Sequence, residues 1–492
     1  MMKGTFMGYR TFTCPIARDC GGCEWLAVPY TIQLRRKQAQ VEELLGPMIS
    51  GDAGELRGIV GMKGEPVAYR HKAATPYAHA SRGRIACGFY ARGTHRIVRC
   101  DDCLVEDPRA RHVLNAVARV AARQHIPAYD EDKGTGVLRH AVVRCGYATD
   151  DVLLTVVTNV PELRRAERFV AAIREEAPEV TSIVQNVNTR RTNAILGFRN
   201  KTLWGPGTMR DKLLGCTFEI GPTTFYQTNP AQTEELYRLA IEGAGLRGGE
   251  RVLDAYCGCG TIGICAASAN DAQVIGIERV EGAVKAARRN ASMNGLDEKC
   301  SFVAADATEW MAREGRELGF DVVLMDPPRA GSTPEFLDGV ASLAPARVVY
   351  VSCDIETQAR DLELIRRNGY RIESVTPVDM FPHTKHVETV AVLSRKSASK
   401  SFIPVSISPK DMGLSEEKDQ PTYANIRDYV QKTHGMKVSS LYVAQMKAEC
   451  GLETQADRSG DKKQPKCPPK KREAILDAFR HFGLIGKDET EK

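Results

Sequence analysis

The sequence of 492 residues predicts an α/β protein whose second half forms a doubly wound sheet. From about residue 221 to 396, short apolar runs alternate with helical patterns, as in RVLDAY, QVIGIE, FDVVLMD, RVVYVSC and VETVAVLS. A glycine-rich turn also separates the first apolar run from the helix after it. Ligands of such sheets bind beyond the carboxyl ends of the strands, so functional side chains are expected there.

The rest of the chain divides into a strand-rich front and a helical tail. Residues 1–220 begin with a cysteine- and glycine-rich stretch, followed by predicted helices at 31–46 and 109–124 and by β-favouring runs such as VLLTVVT. Residues 397–420 are predicted to be a linker, and residues 421–492 a small helical extension. The predicted helices of this extension lie near 423–433, 438–449 and 472–482.

Composition places the chain among globular proteins of a reduced compartment. Hydrophobic residues make up 42% and charged residues 26%, and no apolar run is long enough to cross a membrane. The first residues lack the features of a secretory signal, so a cytoplasmic protein without a membrane partner is expected. Its 15 cysteines are then expected to be buried thiols, metal ligands or catalytic groups rather than disulfides. No obligate protein partner is evident, and a monomer is expected.

The charge is unevenly distributed along the chain. Residues 1–220 carry a net charge of +9, residues 221–396 carry −6 and residues 397–492 carry +3. A basic front half suits a polyanion such as nucleic acid, and it is equally compatible with a solvated basic surface.

The glycine-rich turn predicts a nucleotide-like cofactor in a Rossmann-like fold. Gly258, Gly260 and Gly263 form G-x-G-x-x-G between a predicted strand and a predicted helix. This spacing fits a dinucleotide as well as S-adenosylmethionine, and Glu278 at the end of the next strand can hold the ribose of either.

Two further carboxylates favour S-adenosylmethionine. Asp254 precedes the glycine turn, where a carboxylate would repel a pyrophosphate, whereas a sulfonium ligand brings no phosphate. Asp306, expected at the end of the third strand, is placed to bind an adenine amino group. The competing interpretation is that these carboxylates only cap helices.

Reactive side chains follow the remaining strands. Asp326 begins DPPRAG, Cys353 lies in VSCD, and Glu388 follows FPHTKHV at the start of the last apolar run. A cysteine at a strand end is often inert core, but a thiolate and a base beside a methyl donor suit one reaction well. The thiolate adds to C6 of uracil, C5 attacks the methyl group, and a base removes the C5 proton so that the thiolate leaves. A uracil within folded RNA would have to be flipped out to reach them.

Five segments resemble the RNA 5-methyluridine methyltransferase family, in their usual order: TTFYQTNP, LDAYCGCGTIG, DPPRAG, VSCD and FPHTKHVETV. The resemblance implies that Cys353 is the nucleophile and Glu388 the base. It also implies that five residues bind S-adenosylmethionine or organise its pocket: Gln227, Tyr256, Glu278, Asp306 and Asp326. Thr261 is a further candidate for this pocket.

A cysteine cluster near the start predicts a metal site. Cys14, Cys20 and Cys23 lie in C-P-x4-C-G-G-C, and Cys100 and Cys103 follow later. Spacing alone does not separate zinc from an iron–sulfur cluster. The resemblance implies a [4Fe–4S] cluster, which the ribosomal members of the family hold, with Cys103 as the fourth ligand and Cys100 as the alternate.

The sequence therefore predicts methylation of uracil C5 in large-subunit (23S) ribosomal RNA. Alternatives are a transfer-RNA uracil-C5 methyltransferase, a non-catalytic iron–sulfur RNA-binding assembly factor and, more distantly, a nicotinamide-dependent oxidoreductase. Two departures from the family pattern stand out. Cys14 leaves no room for the OB-like domain that precedes the cysteines in many members, and residues 397–492 have no counterpart.

Overall fold

A computed structural model describes residues 10–91, 93–396, 421–452 and 465–485. The chain divides into two compact units, residues 1–398 and residues 399–492. The linker predicted at 397–420 lies outside the described residues. None of the helices in the described ranges is long and apolar enough to span a membrane.

The strands of the first unit form two large sheets and one hairpin, whose order does not follow the chain. The eight-stranded sheet has the order β1-β16-β17-β15-β14-β11-β12-β13, the seven-stranded sheet has the order β4-β3-β2-β5-β6-β7-β8, and β9 pairs with β10. The strand bounds are β1 Glu55–Leu56, β2 Lys72–His79, β3 Ile85–Tyr90, β4 Ile97–Arg99, β5 Leu138–Cys145, β6 Val152–Thr158, β7 Ser182–Val187, β8 Arg199–Trp204, β9 Met209–Leu213, β10 Cys216–Ile220, β11 Arg251–Ala255, β12 Gln273–Glu278, β13 Cys300–Ala304, β14 Val322–Met325, β15 Arg347–Ser352, β16 Tyr370–Val378 and β17 Glu388–Arg395.

The helices largely match the predicted segments. The predicted helix at 31–46 extends further at its C-terminal end, and Pro47 lies within it. The helix bounds are α1 Ala17–Cys20, α2 Tyr30–Gly51, α3 Pro108–Arg123, α4 Ala166–Glu176, α5 Pro230–Ala244, α6 Thr261–Asn270, α7 Glu281–Met293, α8 Ala307–Trp310, α9 Arg316–Leu318, α10 Pro334–Leu343, α11 Ile355–Arg367, α12 Tyr423–His434, α13 Ser440–Glu449 and α14 Pro469–His481, with a 3-10 turn at Ser81–Gly83 and a π turn at Met311–Gly315.

The eight-stranded sheet is the predicted doubly wound sheet with one antiparallel strand. β11 to β15 pair in parallel, as expected for strands joined by crossover helices, and β17 runs antiparallel between β15 and β16. One core forms under α5, α6 and α7, and another forms on the other face under α2, α10 and α11. The fold is therefore the Rossmann-like α/β class predicted from the sequence.

The front of the chain is less separate from this sheet than the boundary at residue 220 suggests. Helix α2 packs on β16, and β1 extends the sheet by pairing with β16. The β9–β10 hairpin contributes Met209, Leu213 and Phe218 to the core under α5 and α6. Residues 30–56 and 209–220 therefore bury apolar side chains against the second half of the chain and form part of the same layered unit.

The second unit is a small three-helix cluster. Ile426, Val443, Ile475 and Phe479, which are fully buried, form its core with their neighbours on α12, α13 and α14. A Thr422–Asn425 capping box begins α12.

Candidate active site

The glycine turn after β11 forms an open cradle. A Cβ atom at Gly258 would meet nothing within 4 Å, whereas a Cβ at Gly263 would lie 2.7 Å from Oδ2 of Asp254. That oxygen accepts a hydrogen bond from the Gly263 backbone N–H over 3.0 Å. Gly258 therefore leaves space for a ligand, and Gly263 lets α6 approach the strand that carries Asp254.

Two carboxyl groups in this cleft have no cationic partner among the described residues. Burial raises the pKa of Asp254 to about 7, with Asp326 and Glu278 adding repulsion, and burial raises the pKa of Asp326 to about 7. Uncompensated carboxylates attract a cation and repel phosphate. The donor set therefore fits the sulfonium of S-adenosylmethionine and opposes a pyrophosphate.

The other residues predicted to hold the cofactor lie around the same strand ends, with different roles. Tyr256, at a left-handed φ of 64°, places its hydroxyl 3.4 Å from Oγ of Ser332. Glu278 accepts the Val280 N–H over 2.8 Å. Asp306 caps α8 through Oδ1, as the competing interpretation expected, and its side chain is exposed to the cleft edge.

Thr261 and Gln227 are less clearly directed at a ligand. Thr261 begins α6, and its buried hydroxyl lies 2.9 Å from the Tyr237 hydroxyl, so this side chain is held by the protein. Gln227 lies half-buried in the loop between β10 and α5. In the same loop, the carbonyl of Phe225 lies 3.5 Å from the thiol of Cys259 in the glycine turn.

Cys353 and Glu388 face each other at the end of the sheet. Ser352 and Thr389 form the last pair of the antiparallel ladder between β15 and β17, and Cys353 directly follows Ser352 while Glu388 directly precedes Thr389. Their side chains are close enough to interact electrostatically. Two residues that are 35 positions apart in the chain are thus neighbours, and Asp326 follows the adjacent strand β14.

The electrostatics of this group suit a base beside a nucleophile. Burial and Asp326 raise the pKa of Glu388 to about 8, and burial and Glu388 raise the pKa of the half-buried Cys353 thiol. The Arg329 side chain hydrogen-bonds to Cys353 and acts in the opposite direction on both groups. The sequence analysis assigned no role to Arg329, although this residue lies in DPPRAG. The signal that could have identified it is a cation three residues after the predicted acid Asp326.

The loop that carries Glu388 is anchored by residues from the front of the chain. His383, fully buried at a φ of 65°, donates its backbone N–H to Gln33 Oε1 over 2.8 Å, and its carbonyl accepts from Trp25 N–H over 2.9 Å. Lys37 forms a fully buried ion pair with Asp379 and donates to the Phe381 carbonyl over 3.0 Å. The front segment therefore fixes the loop that ends at Glu388.

The cysteines of the predicted metal site come together. Cys14, Cys20, Cys23, Cys100 and Cys103 line one cavity. The apolar part of its wall includes Ile16, Leu26, Phe89, Leu104 and Val105. Cys20 and Cys23 each interact electrostatically with Cys14 and Cys103, whereas Cys100 interacts with Cys103 and donates its thiol to the Asp102 carbonyl over 3.1 Å.

Two arginines lie beside these thiols, Arg111 fully buried and Arg70 partly buried. The Arg70 guanidinium interacts with Cys23 and Cys103, and that of Arg111 with Cys100 and Cys103; Arg70 Nε and Arg111 Nη1 are sealed from solvent without a hydrogen-bond partner. Across the ranges that the structure describes, no group of three or more Cys, His, Asp or Glu side chains is arranged to hold a metal ion. Arg111 is also ion-paired with the buried Glu106, whereas Arg70 forms no ion pair with a carboxylate of the described residues. The thiol donors fit a thiolate-bound cofactor, and the arrangement is not that of a single-ion site.

Comparison with known proteins identifies relatives over most of the chain. Residues 214–396 match the family model described as tRNA (uracil-5-)-methyltransferase. An uncharacterised RNA methyltransferase of Halalkalibacterium halodurans is 41% identical over 78% of this chain and 83% of its own length, and one of Staphylococcus aureus is 38% identical over 78% and 84%. The tRNA (uracil-54, C5)-methyltransferase of Pyrococcus abyssi, solved with S-adenosyl-L-homocysteine, is 30% identical with a TM-score of 0.63 over 76% of this chain and 85% of that chain.

Proposed function

Because the chain belongs to the RNA uracil-5-methyltransferase family and is an S-adenosylmethionine-dependent enzyme, we propose that it methylates C5 of uridine in large-subunit (23S) ribosomal RNA. Membership of this family sets aside the non-catalytic assembly factor and the nicotinamide-dependent oxidoreductase. The observation that supports a ribosomal substrate is the five-cysteine cavity, since the ribosomal members of the resembled family are those with an iron–sulfur cluster.

Cys353 and Glu388 carry the proposed chemistry. The Arg329 side chain stabilises the Cys353 thiolate, which adds to C6 of the uracil and moves the electron pair of the C5–C6 double bond toward the O4 carbonyl. S-adenosylmethionine, when bound, supplies an electrophilic methyl group to C5. The Glu388 carboxylate then takes the C5 proton, the double bond re-forms, and the C6–S bond breaks to release Cys353 as a thiolate.

The position of Glu388 supports this division of roles. Its side chain is 4% exposed and lies beside Cys353 at the end of the β15–β17 ladder, so it can reach a proton on the ring to which Cys353 is bonded. A pKa of about 8 makes its carboxylate a stronger base than an exposed glutamate. Asp326, whose carboxyl shares this cleft, is assigned to the donor pocket together with Tyr256 and Glu278.

We also propose that the cysteine cavity holds a [4Fe–4S] cluster through Cys14, Cys20, Cys23 and Cys103. Cys20 and Cys23 interact with Cys14 and Cys103 and not with Cys100, and Arg70 lies beside Cys23 and Cys103; these contacts support this ligand set over one with Cys100. Iron and acid-labile sulfide would be measured in anaerobically purified protein. Cys103→Ala should lose both, and the matched variant Cys100→Ala should keep them; the reverse pattern would exchange the two roles.

The substrate is tested by methyl transfer from labelled S-adenosylmethionine to unmodified 23S ribosomal RNA and, separately, to unmodified transfer RNA. Label in 5-methyluridine of the ribosomal RNA, lost in Cys353→Ala while cofactor binding is kept, is the expected result. The Pyrococcus abyssi enzyme, described as acting on tRNA uracil-54, favours transfer RNA as the second candidate. Label in transfer RNA alone would replace the ribosomal assignment.

A further inference from the structure

The seven-stranded sheet has two unlike faces. Helices α3 and α4 cover one face, where Ala73, Tyr77, Ala141 and Val143 are buried in a common core. Side chains of a strand alternate between faces, so the neighbours of these residues on β2 and β5 lie on the opposite face. That opposite face carries polar groups that no step of the proposed reaction uses.

Three cross-strand pairs follow each other along the opposite face. Lys72 pairs with Arg144, Ala74 with Val142, and Pro76 with His140. The first and third pairs are four residues apart, which corresponds to about 13 Å along the strands. The face thus carries a pair of cations at one end and a histidine at the other.

The Lys72–Arg144 pair lies beside the candidate active site. Arg144 donates to the Thr224 carbonyl in the loop before α5, and its guanidinium interacts with Cys259 in the glycine turn. Neither cation has an acidic partner among the described residues, and burial together with Arg144 lowers the pKa of Lys72 to about 8. Two adjacent cations without a carboxylate suit a phosphate group.

The other end of the face opens into a cavity of about 680 Å³. Its wall carries the rings of Tyr90, His95 and His140, with centroid distances of 5.8 Å from Tyr90 to His95 and 6.3 Å from Tyr90 to His140. Glu131 and Asn193 add polar atoms to the wall. Aromatic rings that line a cavity offer stacking surfaces for a nucleobase, and a carboxylate there repels phosphate but accepts N–H groups.

His140 is the group in this cavity that lacks a partner. It is 7% exposed, its side chain makes no hydrogen bond with the described residues, and its Nδ1 is sealed from solvent. Burial and the neighbouring Arg139 lower the pKa of His140 to about 4, so the ring is neutral at pH 7. The ring therefore presents an uncharged aromatic surface to the cavity, which suits stacking on a base.

We propose that this cavity binds an unpaired, amino-bearing nucleobase of the substrate RNA near the target uridine, while the partly exposed Lys72, beside the buried Arg144, contacts a phosphate between that base and the active site. The proposal rests on the proposed function, since it assigns part of the same RNA to this surface. Glu131, which also accepts from Arg139 over 3.4 Å, favours a base with an exocyclic amino group, which uracil lacks, and the neutral ring of His140 stacks on this base.

The test is a scan of the substrate RNA with single abasic nucleotides on either side of the target uridine. For the wild-type enzyme, one flanking position should raise KM about tenfold, the loss expected when one stacked base is removed. In His140→Ala, the intact RNA should show a similar rise, and the abasic nucleotide at that position should add little, because the two changes remove the same contact.

Three further variants keep the result interpretable. His140→Phe retains a stacking ring and should keep the sensitivity to the abasic nucleotide, and His79→Ala, an exposed histidine at the end of β2, should behave as the wild type. Lys72→Ala should reduce the salt dependence of RNA binding by about one phosphate contact. The proposal would be overturned if an abasic nucleotide raised KM equally in the wild type and in His140→Ala, or if it raised KM at no position. In either case, methylation by the wild type would leave the proposed function intact. Failure of the wild type to methylate any tested RNA would overturn both.

Discussion

The affinity for S-adenosylmethionine should depend on pH in a way that the affinity for S-adenosylhomocysteine does not. The two ligands differ at sulfur, which is a cation in the first and neutral in the second. Asp254 and Asp326 are the uncompensated carboxyl groups of the cleft, each with a pKa raised by burial to about 7. A protonated carboxyl group does not attract a cation, so the sulfonium gains from these groups only above their pKa.

The size of the effect follows from the pKa of Asp326. A group with a pKa of about 7 is about 90% protonated at pH 6 and about 10% at pH 8, so a ligand that requires the carboxylate binds about tenfold more tightly at pH 8. This change corresponds to about 1.4 kcal/mol. Asp254 interacts with Asp326, and the rise should therefore spread over a wider pH range than that of a single group.

Isothermal titration calorimetry at pH 6, 7 and 8 measures both affinities, and buffers with different ionisation enthalpies count the protons released. We expect close to one proton released per S-adenosylmethionine at pH 6 and almost none for S-adenosylhomocysteine. Asp326→Asn should flatten the dependence, whereas Glu298→Gln, an exposed carboxamide substitution, should leave it unchanged. An equal rise for both ligands, or no rise for S-adenosylmethionine, would refute the role given to these carboxyl groups.

Three other changes test separate parts of the structure. Glu388→Gln should slow product release by about 100-fold or more and trap a denaturation-resistant RNA adduct on Cys353, visible as a gel shift; release at the normal rate would contradict its role as base. Lys37→Met leaves a fully buried carboxylate unpaired and should lower the free energy of unfolding by about 3–5 kcal/mol in urea titration, with the loss largely recovered when Asp379→Leu is added. Phe479→Ala should cost the three-helix cluster about 3–5 kcal/mol and make residues 421–485 the first site of limited proteolysis; resistance equal to that of the wild type would argue against this core.

The sequence predicted the individual strands, helices and site residues better than it predicted which of these residues are neighbours in the fold. The strands and helices of the second half follow from periodicity, and the carboxyl ends of parallel strands meet at one edge of any such sheet, so Asp254, Glu278 and Asp326 could be grouped in advance. Cys353 and Glu388 were assigned to one reaction from their chemistry and from the family resemblance, but strand periodicity could not show that they are neighbours, because this depends on β17 entering antiparallel between β15 and β16. Strand order is a non-local property that single-strand patterns do not carry.

Contacts between distant segments were also invisible in the sequence. Nothing in the periodicity of α2 indicates that Gln33 and Lys37 hold the loop around His383 and Asp379, more than 300 residues later. The polar face of a predicted helix is ordinarily read as solvated, yet both of these side chains are fully buried. Thr261 shows the opposite case. Its hydroxyl follows the glycine turn and was a candidate to bind the cofactor, but it lies 2.9 Å from the Tyr237 hydroxyl.

The anchoring of the 381–388 loop by the front segment has a consequence for biosynthesis. During translation, α2 and β1 leave the ribosome long before β16 and β17, which are the surfaces that they cover. In the nascent chain, α2 and β1 therefore remain unpaired until a segment about 320 residues later has been synthesised, and closing so long a loop is slow. The loop that carries Glu388 is anchored only after this closure, so the catalytic geometry requires that residues 30–395 have been synthesised and packed together.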